Sequence, residues 1–268
     1  MSNQRPFFSV ITSFFNSEKY LYKYISKLQD QTFLNWECIL IDDYSEDNGY
    51  EKVSELIKND GRIKLYKNKL KKEIKGPYQG RNYGLDLAVG EFICFLDIDD
   101  YWNKYMLEIK YNFLIENKNI DIIFTNYFRC KKNFQEIIKP ITIVPLKFQL
   151  RFHNPIGMLT SSVRRNVINN QKFKPLNHED YIFWAEIIRD NPNLKIKYLN
   201  RELAYYCISE ESLSSKKLFA IKWHYKCYLE LGYSKFLAFI CFIPLLTLKS
   251  IVFFKRNFLN KKVKIENL

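Results

Sequence analysis

Glu91-Phe-Ile-Cys-Phe-Leu-Asp97-Ile-Asp99-Asp100-Tyr-Trp102 is the stretch whose reading decides the fold. Phe92 to Leu96 is an apolar run of buried-strand character, and it stops in three carboxylates spread over four residues. A strand interior cannot hold such a cluster, because burying unpaired charge is too costly. The acids therefore belong at the carboxyl end of the strand, where open α/β sheets bind their ligands. Hard oxygen donors there suit Mg²⁺ or Mn²⁺, ions held by one or two carboxylates together with substrate phosphates. The plainer alternative is an aspartate capping a helix, with acidic neighbours.

Upstream, strand and helix signals alternate. Phe8-Ser-Val-Ile-Thr12 reads as a strand ending at Ser13 to Asn16, followed by a helical pattern from Tyr20 to Gln31. Trp36 to Ile41 is a second buried strand, ended by Asp42-Asp43. A helix over Tyr50 to Asn59, a strand over Arg62 to Tyr66, a loop at Gly76-Pro77 and a helix over Arg81 to Val89 complete the series. This alternation predicts a parallel sheet wound by right-handed crossovers. Beyond Asp100 the pattern is mixed. Helices are expected over Met106 to Asn117 and Tyr181 to Arg189, and strands over Asp121 to Phe128, Ile137 to Val144 and Ile196 to Tyr198. No domain boundary is visible before about Ser215, so residues 1–215 are expected to form one domain and 216–268 an appendage.

The net charge of +13 is unevenly placed. Residues 216–268 carry eleven Lys and Arg against Glu230 and Glu266, and the same segment holds the uncharged run Phe236 to Leu248. Apolar surface rimmed by Lys255, Arg256, Lys261, Lys262 and Lys264 suits the anionic face of a membrane. A nucleic-acid site would interleave basic residues with aromatics along a groove, so no nucleic-acid partner is expected. The run reads as a helix dipping into the membrane surface; a buried or dimer-forming helix and a span broken by Pro244 and Lys249 are the alternatives. The oligomeric state stays open, a homodimer included. Six cysteines without a CxxC pair read as small buried apolar residues of a reducing compartment. Met1 to Phe8 lacks the apolar core of a signal peptide, which predicts a cytoplasmic protein.

Three strands thus end in polar residues on one rim: Ser13 to Asn16, Asp42-Asp43 and Asp97 to Asp100. An acid at the second strand end can hydrogen-bond a base or ribose, and Phe15 can stack on a base. No G-x-G-x-x-G or P-loop follows the first strand, which argues against NAD and against a phosphate cradle of backbone amides. A carboxylate-bound cation, or Arg81, must then neutralise the phosphates.

With these residues in place the chain resembles the family-2 glycosyltransferases of GT-A fold. The resemblance rests on Ser9-Val-Ile-Thr-Ser-Phe-Phe-Asn16, Ile39-Leu-Ile-Asp-Asp43, Gly80-Arg-Asn-Tyr-Gly84 and Gly90 to Asp100, with His178-Glu-Asp180-Tyr-Ile-Phe-Trp184 and Tyr205 to Ser214 downstream. It covers about residues 8 to 215 and is closest in character to bacterial enzymes that build lipopolysaccharide, capsule and related surface glycans. It implies a Rossmann-like, mostly parallel sheet flanked by helices, with a C-terminal helical membrane-associating extension. It also implies metal-dependent, inverting transfer of one hexose or N-acetylhexosamine from a nucleotide-diphosphate sugar, a UDP-sugar first among them. The acceptor would be a hydroxyl of a lipid-linked or lipopolysaccharide-type glycan at the cytoplasmic face of the inner membrane.

Carried over residue by residue, the resemblance places Asp42 and Phe15 on the base, with Ser13 beside them on the donor. Asp97 falls on the donor's ribose or sugar, Asp99 on Mn²⁺ or Mg²⁺, Asp100 on the sugar or the metal's waters, and Arg81 on the donor. Asp180 matches the general base. Each has a plainer reading. Glu179-Asp180 could serve a helix dipole, Phe15 the core, Arg81 an ion pair, and Ser212 and Ser214 a helix cap; His178 could touch acceptor or phosphate. The chain has no Gln-x-x-Arg-Trp, the motif of processive synthases, so one sugar per encounter is expected. The rival functions are a sugar-phosphate nucleotidyltransferase, which would carry a Gly-rich loop where Thr12 to Asn16 stands, and a non-catalytic nucleotide-sugar-binding protein.

Overall fold

The computed structural model describes residues 5–69, 76–131, 134–140, 145–208, 217–243 and 263–264, the backbone alone for 217–221 and 263–264. The parallel half runs β1 (Phe8–Phe14), α1 (Glu18–Gln29), β2 (Trp36–Asp42), α2 (Gly49–Leu56), β3 (Ile63–Lys67), α3 (Tyr78–Leu87) and β4 (Phe92–Phe95). After the acidic cluster come β5 (Tyr101–Trp102), α4 (Met106–Glu116), β6 (Ile122–Lys131), β7 (Phe134–Ile138) and α5 (Leu146–Gln149). A 3₁₀ turn at Met158–Thr160 precedes β8 (Ser162–Arg164), α6 (Arg165–Ile168), α7 (Glu179–Asp190), β9 (Ile196–Cys207), α8 (Lys217–Glu230), α9 (Lys235–Ile240) and β10 (Val263–Lys264).

The strands form one mixed sheet of order β10-β7-β6-β8-β4-β1-β2-β3, with β9 pairing β6 in parallel and β5 antiparallel. Strands β4, β1, β2 and β3 are mutually parallel, so their carboxyl ends share a rim. All of β2 is buried, as a central parallel strand covered on both faces must be. Its one internal acid, Glu37, is resolved by partners: Ser9 Oγ at 2.6 Å, Lys64 Nζ at 2.9 Å and the Val89 amide at 2.9 Å. Burial alone would raise the Glu37 pKa, yet these three bonds hold it below the usual carboxylate value.

Helices cover both faces. Leu21, Ile25 and Leu28 of α1 join Met106, Leu107 and Leu114 of α4 in one core; Phe183, Trp184 and Ile187 of α7 close the other. Burying each such side chain contributes roughly 1.5–3 kcal/mol. Helix α3 lies tight against β1: a Cβ at Gly80 would overlap the Ser13 hydroxyl, and one at Gly84 the Ile11 side chain. The Gly80-x-x-x-Gly84 spacing of the sequence motif thus has a packing cause. Lys110 of α4 is fully buried, its ammonium donating to Thr160 O and Ser162 Oγ, both at 2.9 Å.

The mixed half departs from expectation in three places. The strand expected at Ile196 to Tyr198 runs on to Cys207 as β9, carried past polar Asn200-Arg201-Glu202 by a register irregularity against β6. The strand expected over Ile137 to Val144 lies at Phe134–Ile138, and residues 141–144 fall outside the described ones. The extension expected to be helical contains, besides α8 and α9, the strand β10 paired with β7.

Helix α8 docks on α7 through Tyr181, His224 and Tyr228, the Tyr181 and His224 rings stacked at 5.0 Å. Helix α9, capped by Ser234 Oγ accepting from the Leu237 amide at 3.2 Å, buries Ala238 but leaves Phe236, Leu237 and Phe239 exposed. Among the described residues no helix is long and apolar enough to cross a membrane. Residues 244–262, which include the end of the expected membrane-dipping run, lie outside the described ones, as do Ser212 and Ser214.

Candidate active site

The rim is held together by backbone and side-chain ties between neighbouring strand ends. Thr12 Oγ1 donates to Leu96 O at 2.6 Å, fixing β1 to the residue before the acidic cluster. Asn16, in the left-handed region at φ 45°, donates its backbone amide to Ser45 Oγ at 3.0 Å and accepts the Glu46 amide on Oδ1 at 2.8 Å. The loops after β1 and β2 are thereby one unit. Asp42 is buried, with Oδ1 accepting the Ser45 amide at 3.1 Å, and Asp43 accepts Asn68 Nδ2 at 2.7 Å. Phe15 is 44% exposed, which removes the core reading of that residue. Ser13 is half-buried under α3, facing Gly80.

Beside this ordered pair of loops, the β4 end is crowded with charge. Arg81 is buried, and its guanidinium donates to Asp97 Oδ1 at 2.6 Å and to Glu179 Oε1 at 2.8 Å. Burial opposes that charge, but Asp97 and Glu179 outweigh it and push the Arg81 pKa further up. Arg81 does make an ion pair, though with residues of β4's end and α7 rather than of its own helix. Asp99 is held above the usual carboxylate range by burial and then by Asp97. Asp100 is 2% exposed and is driven well above that range by burial, Asp97 and Asp99. Its Oδ1 accepts the Cys207 amide at 2.8 Å, while its Oδ2 is buried with no hydrogen-bond partner among the described residues.

Helix α7 brings the downstream motif to this charge. His178 precedes it in the left-handed conformation (φ 63°), and Glu179 and Asp180 occupy its first turn. Adjacent helical residues point about 100° apart, so Glu179 reaches Arg81 while Asp180 takes Nδ2 of Asn154 at 2.9 Å. The expected residues Arg81 and Asp97 therefore meet directly, with Asp180 close enough to add to the field on Arg81. Asp42, Phe15 and Ser13 sit further along the rim on β1 and β2. Burial raises the Glu179 pKa, and Asp180 adds to that against the pull of Arg81.

Sequence reasoning treated Glu179 only as a helix-terminal charge and did not single out Asn154. For Glu179 the signal was its place beside Asp180. For Asn154 there is no local signal, since it arrives from a loop 26 residues upstream.

No three His, Cys, Asp or Glu converge as a ready-made metal cage among the described residues. The donor set still fits a divalent cation of the Mg²⁺ type. Such ions take one or two carboxylates and complete their shell from phosphates and water, and Asp99 is a carboxylate whose charge its surroundings disfavour. A cation is what would relieve it.

The sequence matches the family described as glycosyl transferase family 2 over residues 9–195. It is 34% identical over 216 residues to the Escherichia coli UDP-Glc:alpha-D-GlcNAc-diphosphoundecaprenol beta-1,3-glucosyltransferase WfgD, covering 80% of this chain and 82% of that one. Among solved structures, S. aureus TarS 1-349 in complex with UDP-GlcNAc superposes with a TM-score of 0.65 at 23% identity, over 86% of this chain and 69% of that one. Mannosyltransferase PcManGT from Pyrobaculum calidifontis, in complex with GDP-Man and Mn²⁺, gives 0.62 at 14% identity, over 85% and 65%. These two structural likenesses speak for the fold.

Proposed function

The chain belongs to glycosyl transferase family 2, and from that premise we propose that it moves a single hexose or N-acetylhexosamine, with inversion, from a nucleotide-diphosphate sugar. The acceptor is a hydroxyl of a lipid-linked or lipopolysaccharide-type glycan, and the first donor to expect is a UDP-sugar. One observation carries the reading: buried Arg81 joins Asp97 on the strand rim to Glu179, the neighbour of Asp180. The donor end and the base end are one charge network.

In this reading Asp42 and Phe15 hold the base, Ser13 lies beside the donor, and Asp97 and Asp100 address the ribose and sugar. Asp180 takes the proton of the acceptor hydroxyl as its oxygen bonds to the anomeric carbon. The bond from that carbon to the diphosphate breaks on the opposite face, so one displacement inverts the centre. Arg81 keeps positive charge near the developing anion. A divalent cation held by Asp99 would supply Lewis-acid neutralisation of the leaving diphosphate. The UDP-sugar and polyprenyl-diphosphate acceptor in WfgD's description support the choice of substrates, and the Mn²⁺ with PcManGT supports the metal.

Asp180→Asn tests the base. Donor binding is expected to persist while transfer falls roughly 10²–10⁴-fold; unchanged transfer sinks the assignment. Thermal stabilisation by UDP-, GDP- and dTDP-sugars with Mn²⁺ identifies the donor.

Residues 1–215 are proposed as the catalytic unit and 216–268 as the segment that holds it on the cytoplasmic face of the inner membrane. Exposed Phe236 and Phe239 on α9, with the excess of basic residues around them, support this. Truncation after Gly232 should move the enzyme from the membrane pellet to the supernatant with donor hydrolysis retained. Continued pelleting defeats the idea.

A further inference from the structure

Four of the six cysteines (Cys38, Cys94, Cys227 and Cys241) are buried, as the sequence reading expected; Cys130 and Cys207 are not. They are half-exposed, and they are partners in the β6–β9 register. Adjacent strands run about 4.8 Å apart, inside the roughly 4.4–6.8 Å Cα separation that a disulfide bridges. The two side chains interact, the Cys207 thiol favouring the Cys130 thiolate, while the Cys130 thiol lies 3.9 Å from Phe128 O. Lys23 and Gln135 also favour the Cys130 thiolate, and with Cys207 they lower its pKa against burial. Burial raises the pKa of each of the four others. Both thiols are half-exposed, beside an open cleft of about 440 Å³ lined by Lys23, Gln135, Tyr101 and Tyr205.

The pair is also wired to the acidic rim. The Ile208 amide donates to Cys130 O at 3.0 Å, locking β9 to β6 at this point, while the Cys207 amide points the other way and holds Asp100. The Asp100 carboxylate has no second hydrogen bond among the described residues to keep it in place. We propose that Cys130 and Cys207 are a modification site, a dithiol that a peroxide-class oxidant closes to a disulfide, displacing Asp100 and switching off transfer.

The steps balance. The Cys130 thiolate attacks a peroxide oxygen, the O–O bond breaks, and a sulfenic acid forms with release of one water after protonation. The Cys207 sulfur then attacks the Cys130 sulfur; the S–O bond breaks, the S–S bond forms, and a second water leaves. Two thiols are oxidised by two electrons and one peroxide is reduced to two waters. A disulfide holds its sulfurs about 2.0 Å apart in a fixed dihedral, so closure turns the Cys207 side chain and its backbone towards Cys130, carrying the Cys207 amide away from Asp100.

The test treats the full-length enzyme with hydrogen peroxide, blocks free thiols with N-ethylmaleimide, and reads peptides by mass spectrometry beside transfer activity. A Cys130–Cys207 cross-linked peptide is expected, with transfer falling at least tenfold and returning on addition of dithiothreitol. Cys130→Ser should keep transfer and lose its sensitivity to peroxide. No cross-link, a cross-link without loss of transfer, or equal sensitivity in Cys130→Ser overturns the proposal. The activity arm rests on the transferase reading, whereas the cross-link does not. An untreated enzyme inactive with every donor would therefore count against that reading, leaving the cross-link to decide the site.

Discussion

Two acidic strand ends stand on the same rim and differ in nearly every respect but sequence. After β2, Asp42 and Asp43 each accept a hydrogen bond from a neighbouring loop, at 3.1 and 2.7 Å. After β4, three aspartates crowd together, two of them held above the ordinary carboxylate range by burial and by one another. Both ends read alike in the sequence, as an apolar strand stopped by acids. The difference lies in who answers the charge. Loop amides satisfy one end, while the other keeps a surplus of negative charge that the proposed cation would neutralise.

If that contrast is right, neutralising the two ends has unequal effects. Asp99→Asn should lower transfer roughly 10²–10³-fold and abolish stabilisation by Mn²⁺ with donor, the thermal shift being the check. Wild-type response to Mn²⁺ in this variant would erase the distinction between the ends. Arg81→Met leaves Asp97 and Glu179 without their shared cation and should cost about 3 kcal/mol in urea unfolding. A loss below about 1 kcal/mol would mean that the charge at this end is answered elsewhere.

Lys110 sharpens the same contrast from the positive side. Arg81 has two carboxylates; the partners of buried Lys110 among the described residues are neutral, and burial pushes its pKa down to about 8. The folded protein therefore binds this proton less well than the unfolded chain, whose lysine titrates near 10.5. The penalty is fully present below pH 8 and fades as pH rises towards 10.5. Relative to Lys110→Met, wild type should gain roughly 2 kcal/mol in unfolding free energy between pH 7.5 and pH 10. A pH-independent difference between the two proteins would refute it. The smallest effect is expected at the quiet end. Asp42→Asn should raise the donor KM roughly tenfold or less (about 1.4 kcal/mol), with kcat and Mn²⁺ dependence near wild type.

The parallel half was legible because its signals are local. Buried runs such as Trp36 to Ile41 end in polar residues, and helix periodicity between them fixes the winding. The same holds for the rim residues Asp42, Asp97 and Asp99, whose place follows from the strand each one ends. The mixed half was less so. Strand β9 continues through Asn200-Arg201-Glu202 only because β6 pairs with it across some 75 residues of chain. The contact of Arg81 with Glu179 spans 98 residues and that of Cys130 with Cys207 spans 77, and no periodicity reports on either. Reading all six cysteines as buried failed for the same reason, since the exposure of two depends on where a strand edge opens.

The close approach of α3 to β1 has a consequence for how such an enzyme can diversify. Gly80 and Gly84 leave no room for a side chain between helix and strand, and Arg81 stands between them. Lineages cannot retune the reach of that arginine by repacking beneath it, because every larger residue lifts the helix and the charge with it. New sugar or acceptor preferences must arise instead on the loops of the mixed half, where insertions cost little. The two missing side chains fix one wall of the pocket by packing and leave the opposite wall free to vary.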